Sequence, residues 1–190
     1  MTKFLQIVGI VAMVGLIVAQ FMGPEKHNQR TDASKSIEVQ SGMPDNVAAI
    51  LHRACNDCHS QRTTWRWYAS VAPFSWLQIA DVEAGRQHLD FSNWTNFTVA
   101  QKEDRLKGMC KLTREGEMPL WYYKPMHPAA WLSDADRQTI CTWTDGLVAK
   151  LQTDPKAAGV SAPAAAGQKP EQPNQQQEKK ARQPSPGEVK

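Results

Sequence analysis

The feature that most constrains this chain is the segment Cys55-Asn-Asp-Cys58-His59, a C-x-x-C-H motif. On a helix, Cys58 and His59 follow Cys55 by three and four residues, so all three side chains leave the same face. The two thiols can then form thioethers with the edge of a porphyrin while the imidazole reaches its iron as the proximal ligand. The motif therefore predicts one covalently attached haem c, bound by Cys55 and Cys58 and ligated by His59.

Two other uses of the motif remain open at this stage. A structural zinc site needs four Cys or His ligands, and neither Cys110 nor Cys141 has a second ligand at the usual spacing. A redox-active dithiol is typical of a βαβ context, which the surrounding sequence does not show. Both alternatives are less well supported than haem.

The N-terminal segment is strongly apolar. Residues 4–22 carry no charge, a length that can cross a bilayer as one helix, and Lys3 precedes them. The positive-inside rule then places the rest of the chain outside the cytoplasm. No small-x-small cleavage site follows, so residues 1–22 are interpreted as an uncleaved anchor, with a signal peptide as the alternative.

Composition divides the rest of the chain. Residues 23–42 are polar and are interpreted as a flexible tether. Residues 151–190, rich in Pro, Gln, Ala and Lys, are expected to be a disordered tail. The folded domain is expected at 43–150, where basic and acidic side chains cancel, so no nucleic-acid partner is indicated.

Periodicity within that domain predicts helices only. One helix runs from Pro44 into the motif, another covers residues 77–89, a third covers 99–113 and ends at Gly116, and a last helix opens at Ser133. The expected fold is a small all-α domain, preceded by a single transmembrane helix, and its order of motif, Met-Pro and closing helix resembles a monohaem cytochrome c. Aromatic residues are the candidates for lining the haem pocket: Trp67, Trp76, Trp121 and Tyr122.

The sixth iron ligand is the main open question of the site. Met118 precedes Pro119 in a loop that follows Gly116, so its thioether can project from extended backbone. His opposite Met would close the iron to substrates, as in an electron carrier. His88 is the principal alternative, Met126 and His127 are further candidates, and an iron site left open is another possibility.

Several strings of the chain resemble the bacterial membrane-anchored haem-binding domain family of monohaem c-type proteins. They are Cys55–Ser60, Trp65–Tyr68, Ala72–Trp76, Gly85–Trp94 and Gly116–Tyr123, within a match of roughly residues 45–147. Arg66 departs from the family pattern, which has Pro at this place. The resemblance implies a c-type haem and a periplasmic location, but no particular reaction.

Two cysteines remain once the motif has used two. In an oxidising compartment, leftover cysteines tend to pair, and Cys110 and Cys141 lie on the last two predicted helices. A disulfide between them would contribute on the order of 3 kcal/mol by restricting the unfolded chain. Two buried, reduced thiols are the alternative.

Two functions fit these features. In the first, the protein is an electron carrier of the bacterial inner membrane: a single span at residues 4–22 contacts the bilayer, and the periplasmic haem domain meets redox proteins. In the second, an open iron binds a small molecule, and the protein is a sensor or a peroxidase-like enzyme.

The anchor prediction can be tested by mass spectrometry of the purified protein. We expect residues 1–22 to be still attached, because no cleavage site follows the apolar segment. A mature N-terminus near Gly23 would contradict the anchor while leaving export in place.

Overall fold

The structure is a computed structural model that describes residues 1–153. Within this range the regular elements are all helical and no strand occurs, so the prediction of an all-α fold is confirmed. Seven α-helices follow one another: α1 (Thr2–Ala19), α2 (Ile37–Ser41), α3 (Asp45–Ala54), α4 (Asn56–His59), α5 (Phe74–His88), α6 (Val99–Glu115) and α7 (Asp134–Thr153). Short 3₁₀ turns at 33–35, 67–70, 91–96, 124–126 and 128–130 join them.

Helix α1 stands apart from the core. It is long and apolar enough to cross a membrane, and none of its residues is buried against the rest of the chain. An apolar helix that buries nothing is typical of a membrane span, because lipid can cover side chains that protein leaves exposed.

The core lies between α3 and the α6–α7 pair, which makes the most extensive helix contact in the fold. The apolar stripe of α3 faces inward, and the 3₁₀ turn after α5 adds Phe91 and Trp94. The principal buried side chains are Ile37, Val47, Leu51, Phe91, Trp94, Leu106, Ile140, Leu147 and Leu151.

The helix termini follow the capping rules. Thr98 and Gln101 form a capping box at the start of α6, and Gly116 ends that helix at φ +78°, a conformation that favours glycine.

Helix α5 begins at Phe74, three residues before the predicted start. Pro73 immediately precedes it. Amides at the start of a helix have no carbonyl partner within the helix, so a proline there removes no helical hydrogen bond.

The predicted tether, residues 23–42, is only partly a connection. Ser36 accepts a hydrogen bond from the Val39 amide and caps α2, and Ile37 is completely buried in the core. Residues 33–42 therefore belong to the folded domain, which the prediction started at residue 43. Ile37 and Val39 are the only large apolar residues in this polar stretch, which is too weak a periodic signal to reveal the packing of Ile37.

The C-terminal boundary differs slightly from the prediction as well. Helix α7 continues through Thr153, and Leu151 is fully buried. The predicted disordered tail otherwise falls at 154–190, outside the described residues.

A disulfide joins α6 to α7. Cys110 and Cys141 are both buried and form the pair that the sequence favoured, with 4.7 Å between their Cα atoms. The bond crosses the same interface that provides much of the core, so it reinforces the packing of these two helices.

Replacing both cysteines, Cys110→Ala with Cys141→Ala, should lower the unfolding midpoint by roughly 10 °C. The reason is the loss of a cross-link that closes a 31-residue loop, which contributes about 3 kcal/mol. Thermal unfolding followed by circular dichroism measures the change, and Thr142→Ala, at an exposed position on α7, is the control. Equal midpoints for the double variant and the parent would contradict a stabilising disulfide.

Candidate functional site

The C-x-x-C-H motif forms one tight helical turn. Helix α3 ends at Ala54, and α4 starts again at Asn56. The carbonyl of Cys55 accepts hydrogen bonds from the amides of Cys58 (3.1 Å) and His59 (2.9 Å). Neither cysteine takes part in a disulfide, and both sulfurs and the imidazole belong to this single turn.

The ring of His59 is held in one orientation. Its Nδ1 lies 3.0 Å from the carbonyl oxygen of Leu89, and Phe91 packs beside the ring with 5.7 Å between centroids. A carbonyl can only accept a hydrogen bond, so Nδ1 carries the proton and Nε2 keeps its lone pair. Burial lowers the pKa of His59, which favours the neutral imidazole that can ligate a metal.

The two competing uses of the motif find no support here. Burial raises the pKa of the Cys55 and Cys58 thiols to about 12, whereas a reactive dithiol needs a lowered pKa. The disulfide occupies Cys110 and Cys141, the remaining thiols available to zinc. Within residues 1–153, no group of three or more His, Cys, Asp or Glu side chains could hold a metal ion by itself.

Helix α5 crosses directly over the motif. A Cβ atom added at Gly85 would lie 2.6 Å from the carbonyl oxygen of Cys58 and 3.2 Å from its Cβ. Only glycine allows the two backbones to approach this closely. The crossing also sets the end of α5, and with it the Leu89 carbonyl that orients His59.

The loop after the motif is bonded back to it. Thr63 donates from its hydroxyl to the Asp57 carbonyl (2.7 Å), and the Thr64 amide donates to the Asp57 carboxylate (2.9 Å). From α5, Arg86 donates to the Ser60 carbonyl (2.9 Å) and to the Thr63 hydroxyl (2.8 Å). These bonds make the motif and its loop one unit.

Two tyrosines connect a distant loop to this unit. Tyr123 donates to the Asp57 carboxylate (2.9 Å) on α4, and Tyr122 donates to Asp81 (3.0 Å) on α5. Burial, with the neighbouring carboxylates and the Cys58 thiol, raises the pKa of both phenols, that of Tyr122 to about 12. Both remain protonated donors at neutral pH, so the bonds persist.

His127 has both ring nitrogens occupied. Its Nδ1 donates to the Tyr123 carbonyl (2.9 Å), which leaves Nε2 to accept from the Tyr68 hydroxyl (2.7 Å). The ring also stacks on Tyr123 with 3.6 Å between centroids. His127 is thus a buried structural residue that links the 3₁₀ turn at 67–70 to the loop after α6.

Met118 lies at the start of that loop and is half-buried. Its amide and that of Glu117 both donate to the Leu112 carbonyl at the end of α6, at 3.1 and 3.0 Å. Five residues later, Tyr123 is bonded to the motif. The loop that carries Met118 is therefore fixed to α6 at one end and to the motif at the other.

The alternative ligand His88 has a different position. It is exposed, at the last residue of α5, and directly precedes Leu89. The carbonyl of the next residue, Leu89, faces Nδ1 of the His59 ring rather than the nitrogen that has the free lone pair.

Three of the four predicted pocket aromatics, the tryptophans, lie at the surface, and Tyr122 is half-buried. Trp67 and Trp121 are 73% and 76% exposed, and each packs edge-on against the next residue, Tyr68 or Tyr122. Trp76 is 39% exposed and contacts the region of α1. The structure thus groups Trp67, Trp121 and Tyr122 with the tyrosines around the motif and separates Trp76 from them.

The residues around the motif fit a haem. The donor set offers two thiols and one imidazole nitrogen, the set that a c-type haem uses. Trp65 adds a buried indole N–H that has no hydrogen-bond partner among the residues described. A buried donor of this kind suits a propionate carboxylate, since an unpaired buried N–H is otherwise costly.

Sequence reasoning missed several residues that position the site. The role of Gly85 depends on a helix crossing, and that of Leu89 on a backbone carbonyl, which no side-chain pattern reveals. Asp57 and Asp81 look like ordinary surface carboxylates until their tyrosine partners are known. Gly85, Tyr122 and Tyr123 do fall within the strings that carry the family resemblance.

Comparison with known proteins agrees with this geometry. A family model described as a haem-binding domain matches residues 14–146, which include the C-x-x-C-H motif, Gly85, Met118 and His127. Neither the curated proteins nor the solved structures give a match.

Gly85→Ala should destabilise the domain by about 1 to 3 kcal/mol, because its methyl group would collide with the Cys58 carbonyl and push α5 off the motif. Denaturant unfolding and haem content per protein measure the effect. Gly108→Ala is the matched control, since that glycine lies inside α6 with nothing within 4 Å of the added carbon. We expect the control to be neutral or stabilising by about 0.5 kcal/mol. The same effect in both variants would contradict a close crossing.

Proposed function

The chain belongs to the haem-binding domain family, and from this premise we propose that it is a membrane-anchored periplasmic cytochrome c that transfers electrons. Cys55 and Cys58 bind the haem through thioethers, and His59 is the proximal iron ligand. Trp65 donates to a propionate, and Trp67, Trp121 and Tyr122 border the haem edge.

The observation that carries the proposal is the orientation of His59. Its Nδ1 proton is committed to the Leu89 carbonyl, so Nε2 is the nitrogen available to iron. A hydrogen bond at the outer nitrogen also raises the basicity of the ligand and prevents the ring from turning. Because the ring leaves the same helical turn as both thiols, all three attachments serve one ligand.

Met118 is the proposed sixth ligand. A haem iron held between His and Met exchanges electrons at a raised potential and has no free position for a substrate. Met118 lies in a loop that Tyr123 holds against the motif and that the Leu112 carbonyl holds at the end of α6. Such a restrained loop can keep the Met118 thioether in place in both the ferrous and the ferric state of the iron.

The positions of the alternative ligands favour Met118. His88 is exposed, and the carbonyl of the residue after it is bonded to Nδ1 of His59, the nitrogen that would not hold iron. His127 has both nitrogens committed. Met126, which also follows α6, is 53% exposed.

Two features support the periplasmic location. Helix α1 can cross a membrane, and Lys3 at its start favours an N-terminus on the cytoplasmic side. The Cys110–Cys141 disulfide is of a kind that persists in oxidising compartments. The redox partners are then proteins that reach the outer face of the inner membrane.

An optical spectrum with ligand challenge tests the function. The oxidised protein should show the far-red charge-transfer band of a Met–iron bond, and the reduced protein should not bind carbon monoxide, since both axial positions are filled. Rapid carbon monoxide binding would contradict the electron carrier and favour an open iron, as in a sensor or peroxidase.

Met118→Ala should keep the covalent haem, gain carbon monoxide binding and lose reduction potential. The thioether favours ferrous iron, and axial ligands span about 0.8 V in haem proteins, so a fall on the order of 0.1 V is expected. His88→Ala is the matched control and should leave the spectrum and the potential unchanged. If the spectrum and the potential were unchanged in Met118→Ala but changed in His88→Ala, His88 would be the sixth ligand instead.

A further inference from the structure

The residues that directly follow α1 contact the haem domain. The Ala72 amide donates to the Gln20 side chain (3.0 Å), and Lys26 donates to the Ser70 hydroxyl (2.6 Å). The backbone at Gly23 packs on the indole of Trp76, since an added Cβ there would lie 3.4 Å from its Nε1. The three contacts all fall on residues 70–76, between the aromatic loop and the first turn of α5.

The connection that follows is also fixed. Arg86 donates to the His27 carbonyl (2.8 Å) and to the Asn28 side chain (2.7 Å). The Gln29 amide donates to the Gln61 side chain (3.1 Å). The connection between α1 and the domain is thus bonded at both of its ends, Gln20 and Lys26, and residues 20–26 can span at most about 25 Å when extended. The domain is therefore held close to the environment of α1, which is the bilayer if this helix spans a membrane.

Four apolar side chains next to these contacts are exposed: Val71, Phe74, Trp76 and Leu77, hereafter the apolar patch. Phe74 and Leu77 share one face of α5, at a spacing of three residues. Soluble surfaces rarely expose several large apolar side chains together, and such patches mark contacts with protein or membrane.

The depth of Trp76 along α1 identifies the partner. The cavity that it lines extends from Gly15 of that helix to Met22 and Pro24, around the end of the apolar segment 4–22. As a helix this segment is about 28 Å long, nearly the thickness of the hydrocarbon core. Trp76 therefore lies near the boundary between the hydrocarbon and the headgroups if this segment spans the membrane. Tryptophan is enriched at that level because its ring is apolar and its N–H is polar.

Charge around the apolar patch fits the same partner. Lys26 and Arg66 flank the segment, and Arg66 is exposed. Basic side chains beside interfacial aromatics attract the anionic headgroups of a membrane surface. Lipid thus matches both the apolar and the charged parts of this surface.

We propose that the apolar patch inserts into the headgroup region of the bilayer that α1 crosses, so that the haem domain rests on the membrane in one orientation. This inference rests on the anchor in the proposed function. Trp76 is then a lipid contact rather than part of the haem pocket. A docked domain presents the motif at a fixed height, which restricts electron exchange to partners at the membrane surface.

Site-directed spin labelling of the full-length haem-loaded protein in nanodiscs of phosphatidylcholine and phosphatidylglycerol tests the docking. One nitroxide is placed at Phe74→Cys, in the apolar patch, and the control at Asp104→Cys, an exposed position on α6. The label at residue 74 should be several-fold less accessible to a water-soluble nickel relaxant and more accessible to oxygen. An unchanged haem spectrum verifies that both variants are folded.

Equal nickel accessibility at the two positions, in protein that resists carbonate extraction, would overturn the docking and leave the anchor intact. A protein partner would then be the remaining candidate for the apolar patch. Extraction of the protein by carbonate would overturn the anchor and the docking together. Neither result depends on the identity of the sixth iron ligand, so failure of the electron-transfer proposal would be recognised separately.

Discussion

The close crossing of α5 over α4 is the contact on which the rest of the site depends. At Gly85 the two backbones meet with no room for a side chain. Four residues later, α5 has ended and the Leu89 carbonyl is in position to accept the Nδ1 proton of His59. A shift of α5 would therefore disturb the contact with Cys58 and the hydrogen bond that fixes the tautomer of His59. Gly85 lies within α5 and Leu89 directly follows it, so the two would move together.

The site lies at one edge of the core. The core lies among α3, α6 and α7 and is cross-linked by the disulfide, and the motif adjoins it between the end of α3 and the crossing helix α5, where Cys55 packs against the core and Phe91 of the core packs beside His59. Hydrogen bonds from Tyr122 and Tyr123 connect the two regions through the loop that also carries Met118. This arrangement lets a small domain keep a stable helical pair while its haem-binding residues are held mainly by directed polar contacts.

Sequence alone predicted the parts of the molecule that depend on local spacing. The helical class, the apolar helix, the start of α3 and the glycine end of α6 all follow from periodicity and capping residues, and the structure confirms them. The boundary at residue 43 was wrong because Ile37 packs through a contact between distant parts of the chain. Gly85, Leu89 and the Tyr–Asp pairs were missed for the same reason: their roles arise only when separate helices meet.

The central claim is that Cys55 and Cys58 carry a covalent haem above His59. Trypsin should cut after Arg53 and Arg62 and release the nine-residue peptide Ala54–Arg62, which contains all three residues. Tandem mass spectrometry of this peptide tests the claim most directly. We predict that it carries the added mass of one haem, with fragment ions that locate the attachment on both cysteines. Two unmodified thiols in that peptide, with the haem extracted by acidified organic solvent, would contradict the account.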